Sequence, residues 1–318
     1  MQMSDFSNEK TVNIKQWIQD RIKPEQITKY MDNDSEQGFI DHELIEKQLA
    51  ENVNPDPQQV RDIMDKSLAV QTLSPEETAL LLSVDDPELL AEMEQVGGQV
   101  KKKVYDNRIV TFAPLYMGNL CVNNCAYCGF RSSNEDGKRR VLSMDEVRQE
   151  TEILAGKVGH KRLIVVYGEH PKTDADYIAQ TIQTIGDVKA KAPSGNTSQI
   201  RRCNVNAAPM SIEELKLLHE VGIGTFQVFQ ETYHLPTYRK LHPGDTIKGN
   251  YLWRLYCMHR ALEAECDDVG IGVLFGLYDW KFEVMALLYH SIELEKKFGI
   301  GPHTISFPRL EPADNTPF

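Results

Sequence analysis

The chain has 318 residues, 41% of them hydrophobic, and 47 acidic against 35 basic side chains give it a formal net charge of −12. That length can bury a substantial core, as one large domain or a domain with an extension. The acidic balance, with no Lys/Arg run longer than Lys101 to Lys103, argues against a nucleic-acid or membrane surface and for a protein that handles a small molecule.

In chain order, Met1 to Lys15 is polar and lacks the apolar core of a signal segment. No later run approaches the roughly 20 apolar residues of a membrane span, so a cytoplasmic protein is expected. Residues 1–104 read as a helical extension. Ser74-Pro75-Glu76-Glu77 is a capping box with proline at the first helical position, and Asp86-Pro87-Glu88 opens a second helix in the same way. Polar stretches such as Glu51 to Gln58 connect them. The periodicity assigns this extension to structural cover for the domain C-terminal to it, not to a site.

From about residue 105 short β-prone runs alternate with helical segments. The runs are Ile109 to Tyr116, Arg162 to Tyr167, Arg202 to Asn206, Thr225 to Phe229, Gly270 to Phe275 and Thr304 to Leu310. Ser143-Met144-Asp145-Glu146 and Ser211-Ile212-Glu213-Glu214 start helices as capping boxes, and Asp174 to Ala190, Lys248 to Glu265 and Trp280 to Phe298 are the other helical stretches. Six βα units, the last without its helix, predict an α/β domain with a parallel sheet over 105–318. This pattern alone does not decide between a barrel and an open sheet, but no glycine-rich dinucleotide fingerprint follows the first run, which weighs against an open nucleotide-binding sheet. Only Glu311 to Phe318 follow the last run, so the barrel is expected to be incomplete at its C-terminal end.

Six cysteines are too few for a disulfide scaffold, and three of them, Cys121, Cys125 and Cys128, fall within eight residues. Their CxxxCxxC spacing lies in the loop after the first strand, on the catalytic face if the sheet closes into a barrel. Three thiolates can hold a four-iron cluster and leave one iron open to chelate a ligand. Structural zinc is the alternative, but it takes four ligands, commonly as two CxxC pairs; there is no second pair, and His160 and His170 are distant in sequence.

The motif resembles that of the radical S-adenosylmethionine superfamily. Further segments narrow the likeness: Cys128-Gly129-Phe130-Arg131, Tyr167-Gly168-Glu169-His170-Pro171, Gln227 to Tyr233 and Ile305 to Leu310. Together they resemble the tyrosine lyases, which comprise the thiazole-pathway 2-iminoacetate synthases and the FeFe-hydrogenase maturases. Gly301-Pro302-His303-Thr304 and Gly276 to Trp280 are closer to the maturases. The likeness runs from about Phe39 to the end.

The resemblance implies a radical (β/α) barrel with a 4Fe–4S cluster on Cys121, Cys125 and Cys128, and S-adenosylmethionine as cofactor. It implies L-tyrosine as substrate, an electron donor such as flavodoxin or ferredoxin, and hydrogenase maturation proteins as partners. Tyr127 would lie near the adenine. Gly168 and Glu169 would bind the methionyl amino group, although Tyr167 stands where many members carry Thr or Gly. Gln230 and Glu231 would contact the ribose or substrate. Ser306 and Arg309 would hold the amino-acid carboxylate, a role that suits the bidentate guanidinium. His303, at the opposite mouth, resembles a ligand of a second, labile iron site. The cysteines of that site belong to a domain not present in these residues, so the second half of the maturase reaction is not expected of the chain as given. Bland alternatives stand beside these roles: a strand-end carboxylate for Glu169, a surface ion pair for Arg309, a structural histidine for His303. Cys203, Cys257 and Cys266 read as buried free thiols, and His290 as packing. An inactive fragment and a metal-binding module are the competing readings of the whole.

Overall fold

The computed structural model describes residues 13–318, so most of the polar Met1 to Lys15 stretch lies outside the described residues. Among the described residues six helices precede the sheet: α1 (Ile14–Arg21), α2 (Glu25–Thr28), α3 (His42–Glu51), α4 (Pro57–Leu68), α5 (Pro75–Leu82) and α6 (Pro87–Tyr105). Their starts follow from local chemistry. Ser74 and Glu77 close both halves of a capping box, and the Asp56 and Asp86 carboxylates accept two amides each ahead of a proline that has none to offer. α4, α5 and α6 enclose a small core around Val60, Ile63, Leu80 and Leu89. Ile27, Tyr30, Ile40, Ile45 and Ala79 instead join the main core under the sheet.

The main sheet is parallel and six-stranded. Its strands are β1 (Ala113–Gly118), β2 (Arg162–Tyr167), β5 (Arg202–Asn206), β6 (Thr225–Gln227), β7 (Asp268–Gly272) and β8 (Thr304–Ser306), hydrogen-bonded in that order. A small antiparallel hairpin, β3 (Ala190–Lys191) and β4 (Thr197–Ser198), sits between β2 and β5 in the chain. The crossovers carry α7 (Met144–Glu152), α8 (Ala175–Asp187), α9 (Ile212–Glu220), α10 (Leu235–Leu241), α11 (Tyr251–Leu255), α12 (Cys257–Glu263) and α13 (Trp280–Phe298). Neighbour-to-neighbour order with helical crossovers is the βα repeat that the sequence predicts.

The strands alternate although parallel strands covered on both faces read as continuous apolar runs. Leu163 and Val165 of β2 and Cys203 and Val205 of β5 are buried, whereas Ile164, Val166, Asn204 and Asn206 are half-buried. One face is thus packed and the other lines a partly open interior.

Among the described residues β1 and β8 do not pair, but the ends meet above the sheet. Leu310 packs into an apolar cluster with Cys125, Tyr127, Leu241 and Leu277. Asn315 Nδ2 donates to Asp136 Oδ2 at 2.6 Å. The stretch after β8 therefore lies against the loop after β1.

Several boundaries differ from the sequence reading. Ile109 to Phe112 are exposed and outside β1, because pairing with β2 begins at Ala113 opposite Leu163. The expected helix over Lys248 to Glu265 breaks at Tyr256, which separates α11 from α12.

Candidate active site

Parallel strands bring all their C-terminal ends to one mouth, and the loop from Asn119 onward crosses it. The loop is held by backbone bonds to its neighbours: Val122 N to Glu169 O (2.9 Å), Ala126 N to Leu241 O (3.0 Å) and Gly168 N to Gly118 O (2.9 Å). Asn123 is the tie point. Its Nδ2 donates to Glu169 Oε2 at 2.6 Å, and its Oδ1 accepts from Lys248 N at 2.9 Å.

Cys121, Cys125 and Cys128 edge a cavity of about 260 Å³ that Gly168, Glu169, Asn206, Glu231, Lys248 and Arg254 also line. Grooves of about 520 and 540 Å³ elsewhere hold none of these three thiols. Burial pushes the Cys125 thiol up to about 11, against the pull of Lys248, and raises Cys121 as well, with Glu169 adding to the shift. Such thiols become thiolates when a metal takes the place of the proton.

The chemistry of the donor set discriminates between metals. Among the described residues, no three His, Cys, Asp or Glu side chains converge as on a single metal ion. The three sulfurs surround a larger space, and no described histidine lines it. An all-sulfur set of three around an open cavity fits an iron–sulfur cluster with one free iron better than tetrahedral zinc.

The far wall is charged. Glu231, at φ +72°, accepts from Lys248 Nζ at 2.7 Å and from Arg254 Nη2 at 3.3 Å. Burial opposes its charge, but these two cations hold it below the ordinary carboxylate range. Two cations on one carboxylate leave positive charge to offer a ligand carboxylate. Glu169 is the opposite case. It is buried, its Oε1 has no hydrogen-bond partner among the described residues, and burial raises it above the ordinary range. A buried carboxylate oxygen without a donor suits a cationic one, such as an ammonium.

The remaining sequence-predicted residues do not line the cavity. The Tyr127 hydroxyl is buried and donates to His242 Nε2 at 2.8 Å, since Nδ1 of that ring is engaged by the Tyr238 carbonyl at 2.8 Å. Gln230 is buried, with no partner for its Nε2 among the described residues. Ser306 is half-buried at the end of β8, and Arg309 is exposed beyond it, where it bridges to Phe275. His303 is exposed at the start of β8, hence at the opposite mouth, with Nδ1 3.8 Å from Asp268 Oδ1. Cys203, Cys257 and Cys266 are buried free thiols apart from the motif.

Sequence reasoning missed Asn123, Asn206, Lys248 and Arg254. Only Arg254 carried a local signal, as a lone cation in the apolar run Tyr251-Leu252-Trp253-Arg254-Leu255.

Comparison with known proteins bears on these residues. The family model described as the radical SAM superfamily matches residues 115–288. The 2-iminoacetate synthase of Salmonella typhimurium is 30% identical over 254 residues, which cover 78% of this chain and 63% of that protein. A crystal structure of HydG, a maturase of the FeFe-hydrogenase, is 50% identical with a TM-score of 0.83, over 87% of this chain and 60% of that one. HydG from Carboxydothermus hydrogenoformans is 38% identical with a TM-score of 0.77, over 90% of this chain and 65% of that one. The chain thus spans less than two thirds of the length of each.

Proposed function

Because the chain belongs to the radical S-adenosylmethionine superfamily, whose members use a 4Fe–4S cluster and S-adenosylmethionine, we propose that it is a tyrosine lyase. It cleaves the Cα–Cβ bond of L-tyrosine to dehydroglycine (2-iminoacetate) and p-cresol, in the service of FeFe-hydrogenase maturation. The observation that carries this reading is the 50% identity with HydG across 87% of the chain, a span that includes the cavity.

Cys121, Cys125 and Cys128 are the cluster ligands in this reading. When bound, the cluster and S-adenosylmethionine supply a 5′-deoxyadenosyl radical. The protein's own residues bind and orient. Glu169 receives the methionyl ammonium on its free Oε1, while Asn123 holds Oε2. Lys248 and Arg254, neutralised only in part by Glu231, face the ligand carboxylate. Gly168 gives the β2 end its close approach to the cysteine loop. Ser306, at the C-terminal end of β8, and Arg309, past it, hold the tyrosine carboxylate so that one hydrogen meets the radical. Tyr127 and Gln230 support from the second layer, and His303 belongs to a separate iron site at the other mouth. The electron comes from a small carrier such as flavodoxin or ferredoxin.

The thiazole-pathway synthase reading shares this half-reaction, and the 30% identity with the Salmonella enzyme supports it. Anaerobic reconstitution followed by assay with L-tyrosine tests both. About four iron atoms per chain, with 5′-deoxyadenosine and p-cresol released together, are expected. Iron uptake and 5′-deoxyadenosine release without p-cresol would remove tyrosine cleavage and leave only the superfamily.

A further inference from the structure

We propose that Arg21, in the last turn of α1, is a positioning residue of the cofactor site: it fixes the Glu169 carboxylate so that Oε1 receives the α-ammonium of S-adenosylmethionine. This deepens the reading of Glu169 given above and rests on it.

Arg21 comes from the helical extension, which the sequence assigned to cover. Its side chain is 8% exposed. Nη1 pairs with Glu214 Oε1 at the start of α9, and Nη2 donates to the Pro209 carbonyl at 3.0 Å. Those two bonds are enough to anchor the helix. The third edge of the guanidinium is turned elsewhere: Nε lies 4.0 Å from Glu169 Oε1. Both atoms are buried, and neither has a hydrogen-bond partner among the described residues. A buried guanidinium N–H and a buried carboxylate oxygen are both costly to leave unpaired, so their facing each other is informative.

Arg21 does not line the cavity; it meets Glu169 from behind. The segment is strapped in place. Gln26 Nε2 donates to Glu213 Oε2 at 2.9 Å, and Gln26 Oε1 accepts from Ile212 N at 2.9 Å. This fastens the extension to the start of α9, directly after the loop whose Ala207 and Ala208 form part of the cavity wall. Asn123 holds only one oxygen of Glu169. Without Arg21 the other is free to turn toward Lys248 and Arg254, both of which attract it from across the cavity, and the ammonium would lose its partner. Arg21 is the strongest of the charges that offset the burial of Glu169.

The test uses the full chain, reconstituted anaerobically, with equilibrium dialysis of S-adenosylmethionine and of 5′-methylthioadenosine, which has the adenosyl group but no amino acid. Arg21→Met should weaken S-adenosylmethionine binding by roughly 10-fold or more, the loss of one charge-assisted contact, at unchanged iron content. Its affinity for 5′-methylthioadenosine should stay within about 2-fold. Glu169→Gln should show the same selectivity, and the double variant should bind no more weakly than Glu169→Gln alone. Equal loss of both ligands in Arg21→Met would mark Arg21 as scaffold and overturn the proposal. So would normal binding by Arg21→Met beside weakened binding by Glu169→Gln. Normal binding by Glu169→Gln would instead sink the underlying assignment of Glu169. If Arg21→Met takes up no iron, Arg21→Gln is read by the same criteria.

Discussion

Gly168 stands against the carbonyl of Leu120 so closely that a Cβ on it would fall 2.2 Å from that oxygen. The end of β2 and the approach to the cysteine loop are in backbone contact, and only glycine permits it. Gly168→Ala must push the loop away, at a cost of about 1–3 kcal/mol for an overpacked contact. Iron uptake on reconstitution is expected to fall sharply in that variant, as measured by iron per chain. Gly129→Ala is the control: nothing lies within 4 Å of its added methyl, although Gly129 adjoins Cys128. Its iron content should match that of the unaltered chain. Equal iron uptake by both variants would mean that the loop tolerates displacement.

Glu231 is the ion-pair partner of two largely buried cations at once, Lys248 and Arg254. Removing the anion leaves both charges without a partner, and breaking a buried pair in this way costs about 3–5 kcal/mol. Glu231→Gln should lower the urea midpoint accordingly in the metal-free protein. Adding Lys248→Met should restore part of the loss, since one stranded cation is gone. A double variant less stable than Glu231→Gln would show that Lys248 contributes by packing and not by charge.

His259 is fully buried with both ring nitrogens unbonded among the described residues, packed against Tyr30, Phe39, Tyr256 and Phe298. Burial lowers its pKa, with Glu293 opposing and Lys297 and Arg260 reinforcing the shift. At pH below about 6.5 the unfolded chain therefore binds a proton that the folded one resists, and stability falls as pH drops. His290, 6.3 Å away ring to ring, is shifted well down for the same reason. His259→Phe removes one of these penalties. It should raise the melting temperature relative to the unaltered chain at pH 5 and do so much less at pH 8. An equal change at both values would assign the effect to packing alone.

Legibility from sequence followed the range of the interaction responsible. β2 and β5 coincide with the runs Arg162 to Tyr167 and Arg202 to Asn206, and α13 with Trp280 to Phe298, because local pattern sets all three. The three capping boxes at Ser74, Ser143 and Ser211 formed for the same reason. The helix Leu235–Leu241 and the break at Tyr256 were invisible, since short pieces of this kind are seated by tertiary contacts. The Tyr238 hydroxyl on the Lys248 carbonyl at 2.6 Å is one. The cysteine spacing and the Gly168-Glu169 pair were readable because the motif is contiguous. Arg21, Lys248 and Arg254 were not, because only folding brings Arg21 to Glu169 and sets Lys248 and Arg254 on Glu231.

Arg309 offers the sharpest test of the substrate assignment. It is exposed, while its neighbour Leu310 packs against the apolar cluster of Cys125, Tyr127, Leu241 and Leu277 and so ties this stretch to the cysteine loop. Phe275 N donates to the Pro308 carbonyl and Leu310 N to the Phe275 carbonyl, both at 2.8 Å, which fixes the backbone on either side of Arg309. A guanidinium on a fixed backbone at the mouth that carries Cys121, Cys125 and Cys128 suits a carboxylate that must be held in one orientation. Losing that orientation costs far more in reaction than in fold, on the order of 100-fold for a displaced reactant. Arg309→Ala should therefore keep its iron and its melting temperature, and still release 5′-deoxyadenosine slowly. Its p-cresol should fall by about 100-fold, so that the two products are no longer formed in step. Chromatography of both from a single reaction reads the ratio. An unchanged ratio would remove Arg309 from the substrate site and return it to the surface.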